Sequence, residues 1–163
     1  MSQIEKYLLE QVKLYTRSFT LWPMRWREYL TKTQYNFKWK KYAFTKRSVD
    51  NIPREYGVYT FVLKPNIANH CSAYLMYIGK AKNETLYERI KYYFAEKDKM
   101  TGRPKVKTFL NIYDPQYIYI YCAILKNRSR IDKIEGDLIG AFLPPVNDDY
   151  PAEIRRIMKA KFF

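Results

Sequence analysis

Apolar positions along this chain change rhythm at about residue 52. Before that point the spacing is mostly helical. Ile4, Leu8, Val12 and Tyr15 share one helical face, and Ser2 with Glu5 has capping-box spacing, which predicts an amphipathic helix over 2–18. A second short helix is expected within 20–34, opened by Pro23, with Trp26, Tyr29, Leu30 and Thr33 on one side. Residues 36–47 break the helical rhythm. Phe37 and Trp39 alternate with Lys38 and Lys40, and the run holds five cations, four aromatics and no acid. Two readings stand side by side: a nucleic-acid contact, or an edge strand with its aromatics inward and its lysines in solvent.

From Ile52 onward strands and helices mix. Residues 57–64 and 73–78 are rich in β-branched and aromatic side chains and predict an antiparallel hairpin, with a turn from 79 to 83. Leu86, Ile90, Tyr93 and Phe94 line one side of a helix over 84–97. A basic loop follows, then a short helix over 106–113. Ile118, Ile120, Cys122 and Ile124 alternate with tyrosines, which predicts a third strand over 116–125. Ser129 is a candidate N-cap for a helix reaching Phe142, where Pro144-Pro145 stops it, and Pro151 can open a last basic helix bearing Arg155, Arg156, Lys159 and Lys161. The expected fold is α+β: a small, antiparallel or mixed, three-stranded sheet flanked by helices, with a helical, basic N-terminal extension. The expected division is an extension over 1–51, a core over 52–150 and a C-terminal helix over 151–163.

Composition narrows the function. Thirty Lys+Arg against sixteen Asp+Glu give a net charge of +14, which points to a polyanionic partner. Residues 1–50 hold eleven of the cations and four of the acids. Cys71, Cys122 and His70 are too few for a protein-only zinc site. No signal peptide and no membrane-spanning run is evident, so a soluble, intracellular protein is expected.

Cutting a phosphodiester requires an activated water, neutralised phosphate charge, a stabilised leaving oxygen and an in-line geometry. The residue types are present in order. Tyr59 and Tyr77 fall on the two hairpin strands, Lys80 just beyond, and Arg89 on the next helix with Tyr93 one turn later. Glu135 lies on the late helix, with Asp132 and Asp137 as rival carboxylates expected on other faces, and Asn147 follows the proline pair. Each taken singly also fits a core tyrosine, a surface cation or a turn cap.

Gly57-Val58-Tyr59 resembles the first motif of the GIY-YIG nuclease family, with Val for Ile, and Tyr77-Ile78-Gly79-Lys80 resembles the second. Residues 83–93 around Arg89, Glu135, and Pro144-Pro145-Val146-Asn147 resemble the family's later segments, so the likeness covers about residues 52–150. The hairpin is longer than the minimal pattern, and residues 64–72 look like an insertion open to DNA contact. The resemblance implies a DNA endonuclease using one Mg²⁺ or Mn²⁺, double-stranded DNA as substrate, and a restriction-type or phage-encoded role in the cytoplasm of a bacterium or an infected host. It implies Tyr59, then Tyr77, as general base. Arg89 would act on the phosphate, Lys80 beside a tyrosine or the nucleophile, and Tyr93 in the family's His/Tyr position. Glu135 would hold the metal, and Asn147 would support the metal site or the fold. Lys38, Trp39, Lys40, Lys41, Arg47, Lys82, Arg103, Lys105 and Lys107 are the expected DNA contacts. A double-strand cut takes two sites or two visits, which a homodimer would supply. A non-catalytic nucleic-acid-binding protein with a nuclease-like fold is the competing expectation. A peripheral membrane protein using the last helix is a weaker one.

Overall fold

The structure is a computed structural model and describes residues 2–32, 37–67, 72–97 and 103–155. His70, Cys71, residues 98–102 of the expected basic loop, and residues 156–163 of the expected last helix lie outside the described residues. The N-terminal pattern forms α1 (Gln3–Tyr15) and α2 (Pro23–Lys32). The capping box on α1 is complete: the Glu5 amide donates to Ser2 Oγ and the Ser2 amide donates to Glu5 Oε2. No side chain of α1 is buried, and Ile4, Leu8 and Val12 of its apolar stripe are exposed. Its C-terminal end touches the core, where Tyr15 meets Tyr113.

Next come β1 (Lys40–Ala43), the short α3 (Lys46–Val49), β2 (Gly57–Leu63), β3 (Tyr74–Ala81) and α4 (Leu86–Lys97), followed by α5 (Pro104–Ile112), β4 (Ile118–Ile124) and α6 (Ile131–Phe142). The sheet has four strands in the order β1-β4-β2-β3, all antiparallel, rather than the expected three. The additional strand is β1. It pairs with β4 from Lys40↔Cys122 to Ala43↔Tyr119, so the aromatic-lysine run does form an edge strand. Its neighbour Phe44 is completely buried and stacks on Phe94, which ties this segment to the core. Lys41 covers the Tyr119 ring at 4.0 Å.

Strand alternation divides the apolar side chains between two faces. Tyr59, Phe61, Ile118, Ile120 and Cys122 face α4 and α5 in one core. Val58 and Ala123 face Ile131 and Ile134 of α6, and Ile78 packs with Ile139, Leu143 and Tyr150. The second hairpin strand runs on to Ala81, so Gly79 and Lys80 lie in β3 rather than in a turn. That extension sends Lys80 to the α6 face, the same face as Ile78.

Candidate active site

Both motif glycines have steric reasons. A Cβ on Gly57 would come within 2.1 Å of the Ala123 carbonyl oxygen, so only a bare Cα allows β2 to lie against β4 there. Gly79 is the cross-strand partner of Tyr59, and a Cβ on it would meet Tyr59 Oη at 2.4 Å. Its missing side chain is the space that the Tyr59 hydroxyl occupies. Tyr59, Tyr77 and Tyr93 then gather at one end of the α4-facing core, with the Tyr59 ring 6.2 Å from that of Tyr77 and 6.0 Å from that of Tyr93.

Two arginines serve these phenols. Arg89, on the first turns of α4, donates Nε–H to Tyr59 Oη at 3.3 Å, and its Nη1 reaches Glu84 at 3.1 Å. Arg103, at the start of α5, donates Nη2–H to Tyr93 Oη at 2.6 Å and Nη1–H to Tyr77 Oη. Its guanidinium also lies 5.4 Å and 5.3 Å from those two ring centroids. Tyr59 Oη and Tyr93 Oη are 2.6 Å apart. Burial pushes the Tyr77 and Tyr93 hydroxyls well above the ordinary phenol value, and the neighbouring Tyr59 adds to this. The arginines pull the other way without overcoming it. For Arg89 and Arg103 themselves burial disfavours the charge, but the surrounding phenol oxygens outweigh it and hold both guanidiniums protonated.

The opposite side is built on α6. Glu135 accepts from Lys80 Nζ at 2.7 Å, and Lys80 also reaches Asp132 at 2.9 Å. Asp132 further pairs with Lys82. Burial disfavours charge on Lys80, but the two carboxylates more than offset it and raise its pKa. Burial raises the Glu135 carboxyl above the ordinary carboxylate range despite the opposing Lys80. Its side chain is 17% exposed, against 50% for Asp132. Glu135 Oε2 carries the Lys80 contact, and Oε1 has no hydrogen-bond partner among the described residues.

Tyr59, Tyr77, Lys80, Arg89, Glu135 and Asn147 all border one cavity of about 360 Å³, together with Lys82 and Arg103. Tyr93 lies behind it, bonded to Tyr59. The sequence-expected catalytic set is thus assembled, with changes in detail. Asn147 acts on the fold: it accepts from the Ile78 amide at 2.9 Å and donates to the Ile78 carbonyl at 2.8 Å. That clamp satisfies the outer edge of β3. Lys80 bonds carboxylates and has no hydrogen bond to a tyrosine. Arg103, expected as a surface DNA contact, is instead part of the tyrosine cluster. Lys82 lines the cavity in an ion pair. Lys105 pairs with Asp148 on the rim at 3.1 Å. Lys107 lies on α5, half-buried and away from the cavity lining. Lys38 and Trp39 with Lys40 and Lys41 lie at or beside the far edge strand, and Arg47 lies on α3, so these do not join the cavity.

Asp132, a rival carboxylate expected on another face of the helix, meets Glu135 through Lys80. Its three-residue spacing from Glu135 was the available signal. Arg103 had no such signal, since it lies in a loop without periodicity.

The donor set fits a hard divalent cation. Glu135 offers one half-buried carboxylate with an open oxygen, and Mg²⁺ commonly takes one or two carboxylates while water and phosphate complete its shell. Among the described residues there is no group of three or more His, Cys, Asp and Glu side chains that could hold a metal ion. Among them, too, no helix is long and apolar enough to cross a membrane. The chain matches no protein-family profile, no curated protein and no solved structure.

Proposed function

We propose that the protein is a metal-dependent DNA endonuclease of the GIY-YIG type. In this reading β2, β3 and β4 with α4 and α6 form the GIY-YIG-like core, and β1 is an added edge strand. The carrying observation is the shared cavity, where guanidinium-bonded phenols and a half-buried carboxylate with an open oxygen meet. A phosphodiester hydrolase can use both, the guanidiniums for phosphate charge and the carboxylate for a metal ion.

Glu135 would hold Mg²⁺ or Mn²⁺. When bound, the ion supplies positive charge for the phosphate and the leaving oxygen. The chain's own groups carry the remaining tasks. Arg89 presents a fork suited to phosphate oxygens while one of its N–H groups stays on Tyr59. Tyr59 borders the cavity, though its side chain is completely buried in the structure, and would take the proton of the attacking water. Tyr77 is the weaker candidate for base, because burial and the adjacent Tyr59 hold its hydroxyl in the neutral form. Lys80 keeps the Glu135 carboxylate in place and balances it until a stronger cation arrives. The +14 net charge draws double-stranded DNA to the domain, with the exposed β1 lysines as an outlying contact.

The test is cleavage of plasmid and defined linear DNA with Mg²⁺ or Mn²⁺ by wild type and Glu135→Ala. Wild type should nick or cut. The variant should lose at least about a hundredfold in rate while still binding DNA. Equal cleavage by both proteins would sink the assigned site. One observation favours a non-catalytic reading: Lys80 already neutralises the carboxylate that a metal would need. Steeply salt-dependent binding with no cleavage by wild type would select that reading.

A further inference from the structure

Lys80, Lys82 and Arg89 border the cavity, and each is paired with a carboxylate, as is Lys105 on the rim. The turn that follows β4 is different. It reads Lys126-Asn127-Arg128-Ser129-Arg130, without an acid, and all five residues are exposed. The Asn127 side chain sets its shape, accepting from the Ser129 amide at 3.0 Å and from the Ser129 hydroxyl at 2.7 Å. Lys126 makes no hydrogen bond, ion pair or ring contact among the described residues. Arg128 has no carboxylate partner among them. Its Nη2–H donates to the Lys82 carbonyl at 2.5 Å, and its guanidinium lies 3.8 Å from the centre of the Tyr56 ring.

Strand register puts this turn beside the cavity. Gly57 of β2 pairs with Ala81 of β3 on one side and with Ile124 of β4 on the other, so β3 and β4 leave the sheet at the same end. Lys82, Asn83 and Glu84, just past β3, border the cavity, and Arg128 is bonded to the first of them. A guanidinium has five donors, and the Lys82 carbonyl takes one. The Tyr56 ring holds the fork in place, so less side-chain freedom is lost when an anion binds it. In 124–133 the large apolar side chain that is exposed is Ile124, at 38%, which gives a bilayer little to bury. The lysines of β1 lie on the edge strand opposite β3, away from the cavity lining.

We propose that the turn 126–130 is a DNA-backbone contact that guides a strand toward the cavity, with Lys126 and Arg128 as its phosphate-binding cations. The inference rests on the nuclease reading for where the strand leads, whereas the contact itself needs no chemistry.

The experiment measures affinity for a fluorescently labelled DNA duplex, without divalent metal, over a series of salt concentrations. The proteins are wild type, Lys126→Gln, Arg128→Gln, Arg128→Lys, the pair Lys126→Gln/Arg128→Gln, and the pair Lys40→Gln/Lys41→Gln on β1. Each single glutamine variant should lower the slope of log affinity against log salt by about one, and the turn pair by about two. The turn pair should bind about tenfold or more weakly, and the β1 pair should lose less. Arg128→Lys keeps the charge and should keep the wild-type slope. A turn pair that binds as wild type does, or that loses no more than the β1 pair, overturns the inference. Affinity for phosphatidylserine vesicles is measured alongside. A turn pair that loses more affinity for vesicles than for DNA would make the turn a membrane contact and overturn it as well. If Arg128→Gln does not fold, Lys126→Gln carries the comparison, because that side chain holds no other group. Cleavage with Mg²⁺ is scored separately. Wild type that binds through the turn but cuts nothing removes the nuclease reading and leaves the contact standing. Unchanged binding by the turn pair removes the contact and leaves the nuclease reading to the Glu135→Ala test.

Discussion

The two sides of the cavity follow opposite electrostatic plans. On the α4–α5 side two guanidiniums face three phenols, and Glu84 pairs with Arg89. On the α6 side two lysines face two carboxylates, so charge is balanced within the protein. An ammonium there holds the place that a metal would take. Phosphate suits the first side as it stands. A cation enters the second only by competing with Lys80. β3 is what joins the sides, because alternation sends Tyr77 to one and Lys80 to the other.

The most disruptive way to test that junction is Asn147→Ala. The Ile78 amide and carbonyl would both lose a buried partner, at about 1–3 kcal/mol each. We expect a loss of about 2–4 kcal/mol in stability, read by denaturant unfolding, with both sides weakened together because β3 carries both. A loss of cleavage with unchanged stability would instead put Asn147 in the chemistry. Gly79→Ala should be milder and one-sided. The new methyl would press on Tyr59 Oη, and such overpacking typically costs about 1–3 kcal/mol. Cleavage should collapse while Mg²⁺ still binds at Glu135, as followed by calorimetry. Loss of both functions would mean the two sides are not separable.

Much of this was legible in the sequence, and the failures have physical causes. β4 announces itself by alternation and β2 by its β-branched and aromatic content, and the apolar spacing of α4 and α6 is helical. β1 was harder because Lys40 and Lys41 are adjacent, so charge runs across both faces of a four-residue edge strand. Its role depends on distant partners in β4, Lys40 pairing with Cys122. The order Tyr59, Tyr77, Arg89, Glu135 identified which residues meet. It could not show that Lys80 would turn to α6, since that depends on β3 continuing through Gly79. Arg103, expected as a DNA contact, could not be read as a partner of the tyrosines for a related reason. Its contacts are long-range, and nothing in a basic loop separates an inward arginine from the exposed ones.

The smallest expected effect concerns the balanced side alone, and its sign follows from burial. The Glu135 carboxyl is raised above its ordinary value of 4.5, chiefly by burial, so the folded protein disfavours its charged form. Without metal, this acid contributes a penalty that is absent below about 4.5 and grows as pH rises toward the folded value. A divalent cation binds only the carboxylate, and so offsets the penalty at neutral pH and has nothing to bind in acid. The stabilisation by Mg²⁺ should be present at neutral pH and fade as pH falls through a window lying above 4.5, earlier than for an exposed glutamate. Thermal melting with and without Mg²⁺ across that range reads it. Glu135→Gln should show no Mg²⁺ effect at any pH. A metal effect that survives that substitution would move the ion to a different group. One that persists below 4.5 would show that Glu135 is not buried enough to matter, and the contrast between the two sides would lose its electrostatic basis.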